Sequence, residues 1–243
     1  MIVFPEGAQV FPRLDVDRAL PAELVGGPFT IAVDDLAAET GLVVVVGMVE
    51  RAGEGEKPFN TVYVSNGTGI ATYRKLHLYD AFGFRESDFI RASDDMVPVT
   101  FEVKEVRFGV MTCYDLRFPE SARELGVSGA DVILVPAAWA PGPRKEDHWN
   151  VLVRARAIEN TCFVVAPNQT LPNGTGFSLV VDPMGVVVAE LDDRPQQRVV
   201  DLDVCRLENV RSANPSLSNR RFDVVRRARV GNAPMPSGRT ADR

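Results

Sequence analysis

The stretch Val106-Arg107-Phe108-Gly109-Val110-Met111-Thr112-Cys113-Tyr114-Asp115-Leu116-Arg117-Phe118 decides how the rest of the chain is read. Val106 to Thr112 is mostly apolar and rich in β-branched residues, which predicts a strand. Phe118 to Leu125 predicts a helix that Gly126 ends. Cys113 falls between them, at a strand-to-helix turn. A side chain there stands at the end of a sheet, near helix N-terminal N–H groups that lower a thiol's pKa and can hold an oxyanion. Cysteine is also a small hydrophobe, commonly buried at strand ends. Position alone leaves both roles open. Cys162 and Cys205 lack this setting and read as structural.

Outward from this stretch, strands and helices alternate. Ile2-Val3-Phe4 predicts a short strand that stops at Pro5-Glu6-Gly7. Thr30 to Thr40 predicts a helix, apolar at Ile31, Leu36 and Ala37 and closed by Gly41. Leu42 to Val49 is almost wholly apolar, as in a strand buried on both faces. Asn60 to Ser65 and Ile70 to Lys75 flank Asn66-Gly67-Thr68-Gly69, a hairpin signal. Asp131 to Pro136 and Cys162 to Ala166 predict strands around a helix over Asp147 to Glu159, its apolar face at Trp149, Leu152, Ala155 and Ile158. Asp182-Pro183-Met184-Gly185 predicts a last hairpin. The pattern is one α/β domain over residues 1–243, with mixed sheets and helices outside.

Composition excludes several function classes. With 45% hydrophobic and 25% charged residues the chain can bury a sizeable core, and its net charge of −6 gives it no reason to seek nucleic acid or an anionic membrane. The longest apolar run is too short to span a bilayer, and the N-terminus lacks a signal-peptide pattern. Three scattered cysteines argue against a disulfide framework and point to a reducing cytoplasm. Two distant histidines suggest no zinc site, so no cofactor or metal is expected. Residues 206–243 differ: nine arginines face three acids, a basic arm expected to pack on the body or on a second subunit.

Three further residues could join Cys113. Lys75 ends a strand, where a lysine is usually solvated, but one buried beside a thiolate would stabilise it and an anionic intermediate. Glu6 and Glu86 read either as solvated turn acids or as carboxylates able to take a thiol proton. In combination these residues resemble the nitrilase superfamily of carbon–nitrogen hydrolases. Phe4-Pro5-Glu6-Gly7 looks like that family's glutamate segment, Tyr73-Arg74-Lys75-Leu76-His77-Leu78 its lysine segment, and Met111 through Glu120 its nucleophile segment. Val135-Pro136-Ala137-Ala138-Trp139, His148-Trp149 and Arg154 through Asn160 extend the likeness over almost the whole chain.

The resemblance implies an α-β-β-α sandwich, homodimers or larger assemblies paired through outer helices, and metal-free hydrolysis of non-peptide C–N bonds. It is nearest the amidase branches, including omega-amidase and deaminated glutathione amidase, and implies a small amide as substrate. Glu6 would be the base, Cys113 the nucleophile, Lys75 and the Tyr114 N–H the oxyanion donors, and Glu86 a second active-site glutamate. Burial should raise the Glu6 pKa towards neutrality. Trp139 is a candidate for substrate contact. Arg144 and Lys145, in a segment expected at the site mouth, read either as solvated or as partners for an acidic substrate tail. The same residues could serve a carbamoyl amide or a nitrile, or a non-catalytic binding protein could retain the fold. The family pattern also places a strand and a helix before the glutamate strand, which here begins at Ile2, so the chain is expected to lack them.

Overall fold

In the computed structural model, which describes residues 1–10 and 21–226, the chain forms two sheets facing one another. The first comprises β1 (Ile2–Val3), β2 (Val44–Glu50), β3 (Phe59–Ser65) and β4 (Gly69–Arg74), in that order. β1 runs parallel to β2, and the rest are antiparallel, with Val45 opposite Val64 and Val46 opposite Tyr63. Alternation along β2 sorts its side chains. Val44, Val46 and Met48 pack with Val33 and Ala37 of α1 (Pro28–Thr40), while Val45 joins Val62, Val64 and Tyr73 in the core between the sheets. β2 is buried along its whole length, as its apolar run predicts.

A small hairpin, β5 (Asp80–Ala81) and β6 (Phe84–Arg85), precedes the second sheet. That sheet holds β7 (Val99–Val103), β8 (Val106–Val110), β9 (Val132–Leu134), β10 (Phe163–Ala166), β11 (Leu179–Val181) and β12 (Val187–Glu190), ordered β12-β11-β10-β9-β8-β7. β8, β9 and β10 are parallel, joined through α2 (Pro119–Val127) and α3 (Lys145–Asn160). Two right-handed crossovers in one direction put both helices on the same face. The layers are therefore α1, first sheet, second sheet, α2 with α3: the expected α-β-β-α sandwich. α4 (Val204–Ala213) follows. No helix among the described residues is long and apolar enough to cross a membrane.

Several local expectations are corrected. On α1 the buried residues are Thr30, Val33 and Ala37, while Ile31 and Leu36 are exposed. Gly126 does not end α2 but lies inside it, where an added Cβ would sit 3.2 Å from the Asn160 Cβ, so it serves close packing of α2 on α3. On α3 the buried stripe is Trp149, Val153, Arg156, Ala157 and Asn160, and Ile158 faces out. Two of those are polar, and a count of apolar residues misplaces the face. Arg156 is tolerated there because its Nε and Nη2 donate to the Leu116 carbonyl at 3.1 and 2.7 Å. In the basic segment Arg206 pairs with Asp182, Arg211 with Asp131 and Arg226 with Glu124. Residues 227–243 lie outside the described residues.

Candidate active site

The carboxyl-terminal ends of β1, β4 and β8 bring Glu6, Lys75 and Cys113 together. Glu6 follows β1 and crosses β2 at Gly47, where an added Cβ would lie 2.8 Å from the Gly7 nitrogen and 3.3 Å from the Glu6 Cα. Only glycine admits that close approach. The buried Glu6 carboxylate accepts from Asn60 Nδ2 at 2.7 Å, Lys75 Nζ at 2.9 Å and the Ala138 N–H at 2.8 Å. Gln169 Nε2 donates to its carbonyl at 2.9 Å. Glu6 is thus tied to both sheets.

Lys75, just past β4, is 2% exposed. Its Nζ donates to Glu6 Oε1 and to Glu86 Oε2 at 2.9 Å, with Glu86 Oε1 at 3.2 Å. Glu86, buried after the β5–β6 hairpin, also accepts from the Tyr79 N–H at 2.7 Å and from Asn60 Nδ2 at 3.1 Å. Burial by itself would discharge the lysine, but Glu6, Glu86 and Cys113 outweigh it and hold its pKa well above the ordinary value. An ammonium has three N–H groups. One serves Glu6 and one straddles the Glu86 carboxylate, leaving one to spare.

Cys113 opens a short 3₁₀ turn, Cys113–Arg117, with φ +47°, a left-handed conformation rare for a non-glycine residue. Burial and the negative charge of Glu6 push its pKa well above the ordinary thiol value, against the opposing pull of Lys75. The lowered pKa expected from a helix N-terminus is therefore overturned: the turn is too short to set the charge, and the facing carboxylate dominates. For Glu6 burial raises the pKa, yet the Lys75 charge and hydrogen bonds from Cys113, Lys75 and Asn60 prevail and hold it below the ordinary carboxylate range. The expected rise towards neutrality is corrected. With Glu6 held low and Cys113 held high, the carboxylate is charged and the thiol protonated at rest.

The other side of Cys113 is built differently. Lys145, the first residue of α3, is 4% exposed, and its Nζ donates to the Tyr79 hydroxyl at 2.9 Å. That nitrogen lies 4.2 Å from the Phe82 ring centre, 4.8 Å from Tyr79 and 5.3 Å from Trp139. The Arg117 guanidinium sits 4.6 Å over Trp139, with Nη2 3.3 Å from His148 Nδ1 and a buried Nε that has no hydrogen-bond partner. Among the described residues neither cation forms an ion pair. Burial and the neighbouring Arg117 lower the Lys145 pKa. Trp139 is buried, its Nε1 donating to the Lys145 carbonyl at 2.7 Å. The Tyr114 ring is edge-on to Tyr79 at 5.1 Å. Arg144 is not part of this box: its side chain is 80% exposed and pairs with Asp147 at 3.2 Å.

Asn60, the Ala138 N–H, Tyr79, Phe82 and Arg117 are contributors that the sequence did not single out. Asn60, a polar residue in a buried strand that also carries Thr61 and Ser65, was the one available signal. Two surface hollows, of about 240 and 210 Å³, lie away from this cluster.

Residues 1–212 match the family model of carbon-nitrogen hydrolases. The chain is 34% identical over 223 residues to deaminated glutathione amidase of Escherichia coli O157:H7, which spans 91% of this chain and 85% of that protein. Its structure is similar to a CN-hydrolase superfamily protein of Xanthomonas campestris with an arsenic adduct in its active site, at a TM-score of 0.79 and 27% identity, over 92% of this chain and 85% of that one. Saccharomyces cerevisiae Nit3, a member of branch 10 of the nitrilase superfamily, matches with a TM-score of 0.79 and 28% identity over 90% and 82% of the two chains. Since the family match runs without interruption through every segment that builds the cluster, from Glu6 to Gln169, the chain belongs to the carbon–nitrogen hydrolase family.

Proposed function

We propose that this chain is an amidase that hydrolyses the C–N bond of a small linear amide bearing a free carboxylate, releasing acid and ammonia through a thioester on Cys113. One observation carries the reading: a buried lysine held between two buried carboxylates, with the buried Cys113 near enough to feel the charges of Glu6 and Lys75. Glu6 takes the thiol proton as Sγ attacks the amide carbonyl carbon. The spare N–H of Lys75 and the Tyr114 N–H stabilise the oxyanion. As the C–N bond breaks, Glu6 gives its proton to the departing ammonia. Glu6 then deprotonates a water that attacks the thioester, and returns the proton to Sγ as the acid leaves. Glu86 keeps Lys75 charged and aimed throughout.

The carboxylate preference rests on Lys145 and Arg117, two cations near the thiol that have no ion-pair partner among the described residues. An incoming carboxylate would supply the missing charge. The printed name of the E. coli relative, deaminated glutathione amidase, supports an amide as the substrate class. The chain would act as one domain, in the cytoplasm, and as a dimer paired through outer helices, where Val151 and Ile158 of α3 are exposed.

Ammonia release should be fastest with the omega-amide of a dicarboxylic acid, slower with its methyl ester, and slowest with N-carbamoyl compounds and nitriles. A rapidly quenched reaction should carry the acyl group on the Cys113 peptide by mass spectrometry. Faster turnover of a nitrile or carbamoyl compound would reassign the substrate, and no turnover of any would leave a binding protein. Sedimentation should give the mass of a dimer, and a monomer would remove the pairing.

A further inference from the structure

Lys75 comes from the first sheet and Cys113 from the second, so their separation depends on how the sheets are joined beside them. We infer that Asp115 is a positioning residue that clamps the lysine segment onto the nucleophile turn by gripping it on both sides of Lys75. Its fully buried carboxylate takes four donors. Oδ2 accepts from the Tyr73 hydroxyl at 2.6 Å and from the Thr112 N–H at 3.1 Å. Oδ1 accepts from the His77 N–H at 3.0 Å and lies 2.8 Å from His77 Nδ1. Tyr73 and His77 stand two residues before and two after Lys75, and Asp115 two after Cys113. The His77 ring lies flat on Phe118, centres 3.7 Å apart, which closes the same joint from outside. The Cys113 N–H donates to the Pro136 carbonyl at 3.0 Å, so the nucleophile turn is also fixed to its own sheet. The Asp115 clamp is what carries that fixed position across to Lys75.

An asparagine cannot replace this carboxylate. It has one acceptor oxygen, and its amide nitrogen would meet two donors, so two of the four bonds are lost. Small displacements at reacting centres are costly: about 1 Å can lower a rate about 10²-fold. The inference rests on Cys113 and Lys75 acting as proposed above, and its test separates the two. Kinetics and the pH dependence of Cys113 alkylation by iodoacetamide are measured for Asp115→Asn and Tyr73→Phe, with Leu125→Ala as a core variant of comparable stability loss. For Asp115→Asn we expect kcat to fall about 10²-fold with KM little changed. Its alkylation midpoint should move to higher pH, because a displaced Lys75 no longer steadies the thiolate. Tyr73→Phe, which removes a single donor, should shift both in the same direction by a smaller amount. Leu125→Ala should lose stability while each folded molecule keeps its kcat and midpoint. A folded Asp115→Asn with unchanged kcat and midpoint overturns the clamp. If Asp115→Asn does not fold, unchanged values for Tyr73→Phe overturn it instead. Cys113→Ala is assayed alongside: turnover by that variant would sink the mechanism, whereas the alkylation midpoint judges the clamp by itself.

Discussion

The two sides of the Cys113 thiol differ in how their charges are balanced. On the Glu6 side, Lys75 lies between Glu6 and Glu86, and Asn60 bridges both carboxylates. Every charge there has a protein partner, so the arrangement is complete before any ligand arrives. On the Lys145 side, Tyr79, Phe82 and Trp139 surround an ammonium that forms no ion pair among the described residues, beside an arginine whose Nε has no partner among them. A buried cation left this way is costly to the fold and is stabilised when an anion enters. On the proposed reading, the first side is preorganised for chemistry and the second is shaped for a ligand's charge.

The largest break in this comparison comes from the paired side. Cys113→Ala should lower turnover on the preferred amide by about 10⁴-fold or more, measured as ammonia release by folded protein. Lys75→Ala should be nearly as inactive, and it should also lose about 3–5 kcal/mol in denaturant unfolding because it strands two buried carboxylates. A Lys75→Ala protein as active and stable as the parent would contradict the internal pairing.

Glu6→Gln should slow turnover by about 10²–10⁴-fold, the range of a lost general base. The pH profile sharpens the same point. Glu6 is held below the ordinary carboxylate range, so its contribution to stability is fully present above the unfolded carboxylate pKa of about 4.3 and is lost as pH falls through the lower folded value. The kcat/KM acid limb should accordingly lie at or below the ordinary carboxylate range. A limb between pH 6 and 7, on the order of two units higher, would show that burial dominates after all.

Gly47→Ala tests whether the backbone holds the paired side in register. The added methyl meets the Gly7 nitrogen and pushes Glu6 away from Lys75. A loss of about 10²-fold in kcat, with KM little changed, is expected for a displacement on the order of 1 Å. Wild-type kcat would mean that the strand moves aside without cost.

The smallest effect belongs to the unpaired side. Lys145→Met and Arg117→Met should each lower kcat/KM for an acidic amide by about 10–100-fold, the loss of a hydrogen bond to a charged group. The neutral methyl ester should be turned over as before. Lys145→Met should also be no less stable than the parent, because a buried unpaired charge is removed. Arg144→Ala should change neither substrate by more than about twofold, since its side chain is solvated and paired on the surface. Equal losses on both substrates would make the two cations structural.

Legibility in the sequence followed the range of the interactions. Cys113 was visible as a break between a strand and a helix, both local patterns. Glu6, Lys75 and Glu86 were visible only in combination, through likeness to a family. Asn60 reaches Glu6 across 54 positions and the Ala138 N–H reaches it across 132. The second is a backbone group with no signature of its own. The polar stripe members Arg156 and Asn160 were missed because apolar periodicity undercounts the buried face of α3: Arg156 is satisfied by the Leu116 carbonyl from another segment, and Asn160 Nδ2 by the Arg156 carbonyl one turn back.

The main alternation of strands and helices, the double burial of β2 and the turn that carries Cys113 were determined by the sequence itself, because period, β-branching and glycine placement act over a few residues; the β5–β6 hairpin, β7 and α4 were not read from it. Charge state was decided only in three dimensions. Burial read alone raises the Glu6 pKa, whereas Lys75, Asn60 and the thiol, gathered from three distant segments, lower it. The roles of Arg144 and Lys145 were divided the same way. Arg144 takes a left-handed conformation, φ +61°, at the cap of α3, which turns it to solvent and sends Lys145 inward. Neighbours in sequence were thereby given opposite environments, since the direction of a side chain depends on the backbone that the packed sheets and helix impose.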